Sequence, residues 1–196
     1  VRQGRQGHRA VYHHGVIYII GGNNGAAYLS SIEKYIVNVD GSLIFPTGTE
    51  INSLPATRWE HAAAASCDAL FVIMGYPGSG CGSLTTYKFP INADGSLAPS
   101  IAQTGYPYDS REFRAVSGYG SIWTVGGLVN EGGCLASTRV FSKLLSNTGD
   151  LGPWVSEAAL PLTRRLHGLV RWRQHIYAIG GLVSGGHGPG TNALFE

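Results

Sequence analysis

Charge is scarce in this chain of 196 residues: Asp, Glu, Lys and Arg make up only 13% of it, and the formal net charge is +2. So small a charge offers no electrostatic footprint for nucleic acid or for an anionic membrane surface. Long apolar runs are missing as well. Val16 to Ile20 is among the longest, whereas a membrane-spanning helix needs roughly 20 apolar residues. The sequence therefore predicts neither a nucleic-acid partner nor a membrane span.

Methionine occurs once, as Met74, so Val1 is not a translation start. We therefore expect the chain to be a processed product or a piece of a longer protein. A helical hydrophobic period is absent too, which argues against a coiled coil. Glycine, with 29 residues, and aromatic residues, at 10%, are plentiful instead. This composition is typical of many short strands joined by tight turns.

Glycine doublets recur through the chain at a nearly constant distance. Three of them, Gly21-Gly22, Gly126-Gly127 and Gly180-Gly181, follow short apolar strands, and Met74-Gly75 takes the missing place in the series. Successive second members of these pairs lie 53, 52 and 54 residues apart. A self-similar unit of this length predicts stacked or radial copies of one supersecondary unit.

Other residue types keep the same register in each unit. Ten residues before the aromatic of each glycine strand stands a histidine, replaced once by phenylalanine: His8, His61, Phe113 and His167. Three residues earlier stands an arginine, replaced once by a serine with an arginine beside it: Arg5, Arg58, Ser110-Arg111 and Arg164. Asn-x-Asp-Gly turns follow the third strand, where glycine supplies the positive φ of a hairpin turn. Each unit therefore predicts four short antiparallel strands, as in one blade of a β-propeller.

The pattern Pro-x-x-Arg-x-x-His, followed by the strand aromatic, the Gly-Gly doublet and Asp-Gly-x-Leu, resembles the kelch repeat. It is most similar to the bacterial variety with an Asn-x-Asp-Gly-x-Leu turn. The resemblance covers essentially the whole chain and departs from the pattern at Met74 and Phe113. It implies an all-β fold, a kelch-type β-propeller with about 3.7 four-stranded antiparallel blades in residues 1–196. The approximate repeats are 1–55, 56–107, 108–161 and an incomplete 162–196.

A ring of this size is not closed, because propellers typically have four to eight blades. An open arc exposes sheet faces and strand edges, which invites aggregation. Three hypotheses stay open. The chain is part of a longer one with six to eight blades, or two copies complete one ring, or four blades close without one outer strand. We favour the first.

By the resemblance, the loops between blades and the loops after the doublets share one face of the disc. The candidate ligand-binding residues there are Arg5, Arg58, Arg111, Arg164, Tyr76 and Tyr106. A guanidinium group binds carboxylates, including those of acidic sugars, through two parallel hydrogen bonds, and a tyrosine ring can stack on a sugar. The competing interpretation is that the arginines tie neighbouring blades through backbone carbonyls. Their recurrence in every blade favours that interpretation.

The remaining repeated residues are interpreted as structural: His8, His61, His167, Gly22, Gly75, Gly127 and Gly181. Equivalent positions on different blades lie too far apart to chelate one ion, and His13-His14 sits alone in a turn, so no metal and no cofactor is predicted. Cys81 and Cys134 occupy matching loops of adjacent blades. They would form a disulfide in an oxidising compartment, while Cys67 stays free.

The resemblance implies first a non-catalytic binding module, extracellular or on a cell surface, that recognises a glycan or a protein through loops on one face. Its other partners would be further blades of the same chain or of a second copy. Kelch-like propellers also include sialic-acid epimerases, and Arg58 with Glu60, or Arg111 with Glu112, is the nearest match to such a site. The Cys, Tyr and His ligands of copper-radical kelch oxidases cannot be assembled here. A third hypothesis is a structural unit of a surface or filament assembly. No catalytic residue is assigned.

Overall fold

The computed structural model describes residues 3–44 and 52–183, together with the backbone of 194–195. These residues form short strands joined by turns. None of the described segments is a helix with the length and apolar character needed to cross a membrane.

Four main sheets follow one another along the chain, and all their strand pairs are antiparallel. The first sheet contains β1 (Arg9–His13), β2 (Val16–Ile20), β3 (Ser31–Val37), β4 (Leu43–Ile44) and β5 (Asn52–Ser53), with β4 and β5 both paired to β3. The second contains β6 (Ala62–Ser66), β7 (Ala69–Ile73), β8 (Thr86–Pro90) and β9 (Ile101–Gln103).

The third sheet contains β11 (Arg114–Gly118), β12 (Ser121–Val125), β15 (Val140–Leu144) and β16 (Val155–Ser156). The fourth contains β17 (Gly168–Trp172), β18 (His175–Ile179) and β19 (Leu194–Phe195). A small additional sheet joins β10 (Ser110–Arg111), β13 (Leu128–Asn130) and β14 (Cys134–Ala136). The sequence had predicted only a loop after Gly127, so this sheet is an unforeseen element.

The first strands of the four main sheets lie side by side. β6 packs against β1 on one side and β11 on the other, and β11 packs against β17. The sheets therefore fan about a common axis as blades, with these strands innermost, rather than stacking in a line. The expected four-stranded antiparallel blade is confirmed. The crowding at the axis explains why β6 consists of four alanines and a serine.

The core lies between consecutive blades. One apolar cluster joins the first and second sheets, with Tyr18, Ile20, Leu70 and Phe89 fully buried. Another joins the second and third sheets and contains Phe71, Ile73, Phe113 and Ile122. Because each blade buries one face against its neighbour, the blades depend on one another for stability.

The glycine doublets permit close approach between main chain and side chain at each blade. A Cβ added to Gly75 would lie 2.5 Å from the Cβ of His61, and one added to Gly181 would lie 2.7 Å from the Cβ of His167. Both glycines have positive φ, +98° and +90°. The second glycine of a doublet thus accommodates the repeated histidine of its own blade.

The first glycine of a doublet faces the histidine of the following blade: a Cβ on Gly126 would lie 3.1 Å from the Cε1 of His167. Met74 takes this position in the second blade, and Phe113 takes the histidine position in the third. Both are fully buried in one apolar cluster. The two departures from the repeat are therefore complementary, with an apolar pair in place of a glycine and an imidazole.

Candidate functional site

Two kinds of loop meet on one face of the disc. The loops after the doublets (21–30, 74–85, 126–139 and 180–183) pair with the segments that lead into the inner strand of the same blade. For example, Trp59 and Tyr76 exchange N–H···O bonds of 3.0 and 2.7 Å, and Arg165 and Leu182 exchange bonds of 3.0 and 2.9 Å. We call this the doublet face. The opposite one, formed by turns such as 13–16, 66–69 and 118–121, is the hairpin face.

A chain of backbone hydrogen bonds runs across the doublet face close to the axis. The amide of Glu60 donates to the carbonyl of Gly7 (2.9 Å), that of Glu112 to Glu60 (2.9 Å) and that of Leu166 to Glu112 (3.0 Å). These four residues occupy the same register in successive blades, directly before the repeated His or Phe. All have left-handed φ values of 53–61°. Because the backbone is repeated in this way, the side chains of Glu60 and Glu112 come from equivalent points of neighbouring blades.

The carboxyl groups of Glu60 and Glu112 form a pair at the mouth of the axis. The side chains are 12% and 7% exposed, and Arg111 Nε lies 3.8 Å from Glu60 Oε2 and 3.8 Å from Glu112 Oε1. The guanidinium of Arg165 forms an ion pair with Glu112. Burial, and then the negative charge of Glu112, raises the pKa of Glu60 to about 7. A carboxyl group with such a pKa can take up or release a proton near neutral pH.

Two arginines of the inner strands lie next to this carboxyl pair. Arg9 and Arg114 hold equivalent positions at the start of β1 and β11, and each donates to the carbonyl of the residue before it, at 2.9 and 3.1 Å. Burial, and then the charge of Arg114, lowers the pKa of Arg9 to about 9, while Glu60 acts in the opposite direction. Nε and one terminal nitrogen of Arg9 are buried without a hydrogen-bond partner among the described residues. The hydrogen-bonding capacity of these buried N–H groups is therefore not satisfied by the described residues.

An aromatic cluster borders the site. Tyr28 stacks on Trp59 with ring centroids 5.7 Å apart, and Tyr76 meets Trp59 edge-on at 6.0 Å. The guanidinium of Arg111 lies 4.7 Å above the centre of the Tyr76 ring. All three rings are half-buried. A Cβ on Gly7 would overlap the Trp59 indole, so the ring lies directly against the backbone of the first blade.

Two of the sequence-predicted ligand residues, Arg111 and Tyr76, lie at this site. Tyr106 does not. It is only 6% exposed, its hydroxyl lies 3.0 Å from Thr124 Oγ1, and its ring meets Trp154 edge-on at 4.8 Å. Tyr106 is thus a core residue of the blade interface rather than a surface aromatic.

The repeated arginines Arg5, Arg58 and Arg164 point away from the mouth and are tied within the protein. Arg5 donates to the Gly21 carbonyl at 3.0 Å and pairs with Glu33. Arg58 donates to the Thr85 hydroxyl and Arg164 to the Gly180 carbonyl. The side chain of each thereby holds the loop of its own blade.

The main chain of the same arginines contacts the preceding blade. The carbonyl of Arg58 accepts from Gly22 N at 2.7 Å, and that of Arg164 accepts from Gly127 N at 2.6 Å. Arg58 is 3% and Arg164 0% exposed, which leaves little surface for a ligand. The contact between blades is made by the main-chain carbonyls of these arginines, whereas the guanidinium bonds to the loops stay within their own blades.

The repeated histidines are buried beside the doublets. Burial, and then the charge of Arg114, lowers the pKa of His167 to about 3. Burial, and then the charge of Arg9, lowers the pKa of His61 well below its usual range. Both rings are therefore neutral at physiological pH. None of His8, His61 and His167 belongs to a cluster of metal-binding groups in the part of the chain that the structure describes.

The structure joins Cys81 and Cys134 by a disulfide, with their Cα atoms 5.5 Å apart, and leaves Cys67 free and exposed. This is the pairing that the matching loops predicted. It connects the doublet-face loop of the second blade to that of the third.

Sequence reasoning did not single out Arg9, Arg114, Tyr28 or Trp59 for binding. Comparison of the repeats emphasises what the blades share, whereas these residues differ from blade to blade. The available signal was the basic residue directly after His8 and Phe113, in alternate blades and at the start of the inner strand.

The chain is similar to known proteins chiefly in its fold. A family model described as the kelch motif matches residues 4–38. No curated protein matches the chain in sequence. Among solved structures, that of YjhT is similar with a TM-score of 0.75 and 14% sequence identity, covering 99% of this chain and 66% of the other. The chain thus spans about two thirds of the length of that structure. Together with the fanned antiparallel sheets, these similarities show that the chain has the fold of a kelch-type β-propeller, present here as a partial ring.

Proposed function

We propose that the chain is a binding module that recognises a carboxylate-bearing sugar at the axial mouth of the doublet face. The observation that carries this proposal is the placement of Arg9 and Arg114 beside the pair Glu60 and Glu112, with two guanidinium nitrogens of Arg9 that no described residue bonds. Guanidinium groups bind carboxylates through charge-assisted hydrogen bonds, which are about twice as strong as neutral ones.

The charge balance of the mouth favours an anion. Arg9, Arg111, Arg114 and Arg165 surround two carboxyl groups, one of which, Glu60, has a pKa raised to about 7. The surplus is therefore positive. The carboxyl oxygens can in addition accept hydrogen bonds from sugar hydroxyls.

The aromatic cluster adds the apolar side of the site. Trp59 and Tyr76 are half-buried and lie next to Arg111, so that one edge of a bound sugar would meet rings and another would meet charged groups. Ligand sites generally combine an apolar lining with a few placed polar groups, and the doublet-face loops supply both.

The test is calorimetric titration of the protein with sialic acid and glucuronic acid, and with glucose as the neutral sugar. We expect the acidic sugars to bind more tightly. Arg111→Ala should weaken this binding at least about tenfold, or 1.4 kcal/mol, because a charge-assisted contact is lost. The matched control is Arg173→Ala, which removes an exposed arginine from the hairpin face. Equal binding of glucose, or an equal effect of the two substitutions, would contradict the proposal.

A second candidate function is proton transfer to a bound sugar, as in the epimerase-like alternative. It is favoured by the raised pKa of Glu60 and by its position beside Glu112 and Arg111. A carboxyl group whose pKa is raised toward neutrality can act as a base or as an acid in such a reaction.

Incorporation of solvent deuterium into each sugar, followed by NMR, tests this activity. If the unaltered protein exchanges deuterium into a sugar, Glu60→Gln should abolish the exchange while the sugar still binds, because the amide keeps the shape of the side chain but cannot accept the proton. If the unaltered protein binds the acidic sugars without exchanging deuterium, the binding module remains and the enzymatic candidate is rejected.

A further inference from the structure

Two turns of the hairpin face bring together three metal-binding side chains. The turn between β1 and β2 carries His13 and His14, and the turn between β6 and β7 carries Asp68. His14 and Asp68 have left-handed φ values of 44° and 51°, the conformation that two-residue hairpin turns require. Because β1 and β6 pack side by side at the axis, the turns of the first and second blades are neighbours.

The three side chains converge on one point. His13 Nε2 lies 3.4 Å from Asp68 Oδ1, and His14 Nε2 lies 4.0 Å from the same oxygen. One ligand atom of each residue lies within 4.8 Å of the other two. Ligand atoms of a tetrahedral zinc ion, each 2.0–2.1 Å from the metal, are about 3.3 Å apart. Of the three distances, that from His13 Nε2 to Asp68 Oδ1 already fits. Rotation of the exposed His14 side chain can shorten the other two.

A simple ion pair does not account for this arrangement. One imidazole would suffice as a hydrogen-bond partner for Asp68, yet a second imidazole approaches the same carboxylate oxygen. The two rings stand edge-to-face at 4.2 Å, so that both Nε2 atoms turn toward the carboxylate. Two imidazole nitrogens and one carboxylate oxygen are a donor set suited to Zn²⁺ and related divalent ions.

The surroundings leave room for an ion and for water. His13 is largely covered, with its side chain 14% exposed, whereas the side chains of His14 and Asp68 are each 79% exposed. All three line a cavity of about 630 Å³, which also reaches Asn92 and Asp94 in the turn after β8 of the second blade. The backbone under the carboxylate is fixed, because the Asp68 carbonyl accepts from Ile91 N at 2.7 Å. Such an open site leaves a coordination position for water.

We propose that His13, His14 and Asp68 bind one divalent transition-metal ion of the zinc class, which ties the first blade to the second on the hairpin face. The site lies on the opposite face from the axial carboxyl pair, and it does not depend on the proposed sugar binding. Its ligands come from two turns 55 residues apart, so the ion bridges two blades.

Titration calorimetry of the purified, metal-free chain with Zn²⁺ tests the proposal, with thermal unfolding as a second readout. We expect one ion per chain and a higher melting temperature in its presence, since a ligand that binds only the folded state stabilises it. His13→Ala, His14→Ala and Asp68→Ala should each weaken binding at least about tenfold. The unfolding of each variant without metal shows that it is folded.

Two control variants separate this site from adventitious binding. His175→Ala removes an exposed histidine from the fourth blade, and Cys67→Ser removes the free thiol next to Asp68. Both should keep the affinity of the unaltered chain. The proposal is overturned if no Zn²⁺ binds, if Asp68→Ala binds as tightly as the unaltered chain, or if either control loses the ion.

Discussion

At the scale of single residues, the glycines differ in the atoms that an added side chain would contact. Gly126 and Gly120 have nearly the same backbone conformation, with φ of +63° and +69°. A Cβ on Gly126 would overlap the carbonyl oxygen of Arg164 in the next blade, whereas a Cβ on Gly120 would meet nothing within 4 Å. The lack of a side chain at Gly126 thus permits both the left-handed backbone conformation and the close contact between blades.

We expect Gly126→Ala to lower the free energy of unfolding by about 3 kcal/mol or more, and the matched Gly120→Ala by only about 1. Both substitutions carry the cost of a left-handed alanine, and only the first adds the clash with Arg164. Urea unfolding of the two variants measures the difference. Equal losses would show that the backbone conformation alone accounts for the glycine doublet.

The titration of Glu60 makes the stability of the folded protein depend on pH. Its pKa is raised in the folded state to about 7, first by burial and then by the charge of Glu112. Its contribution to stability is therefore fully present below about pH 4.5, the unfolded value, and is lost as the pH rises through about 7.

Glu60→Gln should remove this loss, since the amide does not ionise. Relative to the unaltered protein, the variant should gain stability between pH 4.5 and 8, as measured by urea midpoints at several pH values. The gain should be smaller in a Glu112→Gln background, because the neighbouring charge is then absent. A difference that stays constant with pH would mean that Glu60 titrates normally.

At the scale of elements, adjacent blades are held together on both faces. On the hairpin face, lysines of the third strand reach the turn of the following blade: Lys34 Nζ donates to the Asp94 carbonyl at 2.5 Å, and Lys88 Nζ pairs with Asp150 at 2.9 Å. On the doublet face, the Cys81–Cys134 disulfide joins the second and third blades. The turns are thus contacts between blades as well as connections within them.

Removing the disulfide with Cys81→Ala and Cys134→Ala should lower the free energy of unfolding by about 2–4 kcal/mol. The bond closes a loop with a sequence separation of 53, for which chain entropy in the unfolded state gives about 4 kcal/mol. Urea unfolding with and without dithiothreitol measures the effect. Cys67→Ser, the thiol control, should unfold like the unaltered protein, and a double variant of unchanged stability would contradict the prediction.

The elements also show what the sequence could predict. The blade strands were predictable because the glycines, prolines and turns that bound them recur in most copies of the repeat. The short apolar strands expected before the doublets are found, for example, as β2 (Val16–Ile20) and β12 (Ser121–Val125), each of which ends directly before its doublet. The small sheet of β10, β13 and β14 was not predictable, since it occurs in one doublet-face loop only.

The candidate sites were less predictable for the same reason. They combine residues that differ between blades, such as Arg9 with Glu60, or that lie in separate turns, such as His13 with Asp68. The repeat register did indicate that Glu60 and Glu112 are equivalent. It could not show that the left-handed backbone conformation brings the side chains of Glu60 and Glu112 close together.

At the scale of the whole molecule, the fourth blade presents an uncovered face. Residues that pair across β17 and β18, such as Val170 with Tyr177 and Gly168 with Ile179, share that face. Ile179 is 48% exposed, whereas Ile73, its equivalent in the second blade, is 0% exposed under the third. In the described part of the chain, the face that each blade buries against its successor is therefore open on the fourth.

We expect this face to be covered by another sheet, supplied by further blades of the same chain or by a second copy. Trp172 and Val170, 58% and 48% exposed, would otherwise add to a large apolar patch on the surface. The 196-residue chain prepared alone should therefore associate in solution. Trp172→Glu should reduce that association, because a charge then stands in the apolar contact. The control Tyr119→Glu, which alters an exposed aromatic of the hairpin face, should leave it unchanged. Light scattering over a range of concentrations gives the masses, and a strictly monomeric, well-folded chain would mean that the fourth blade needs no cover.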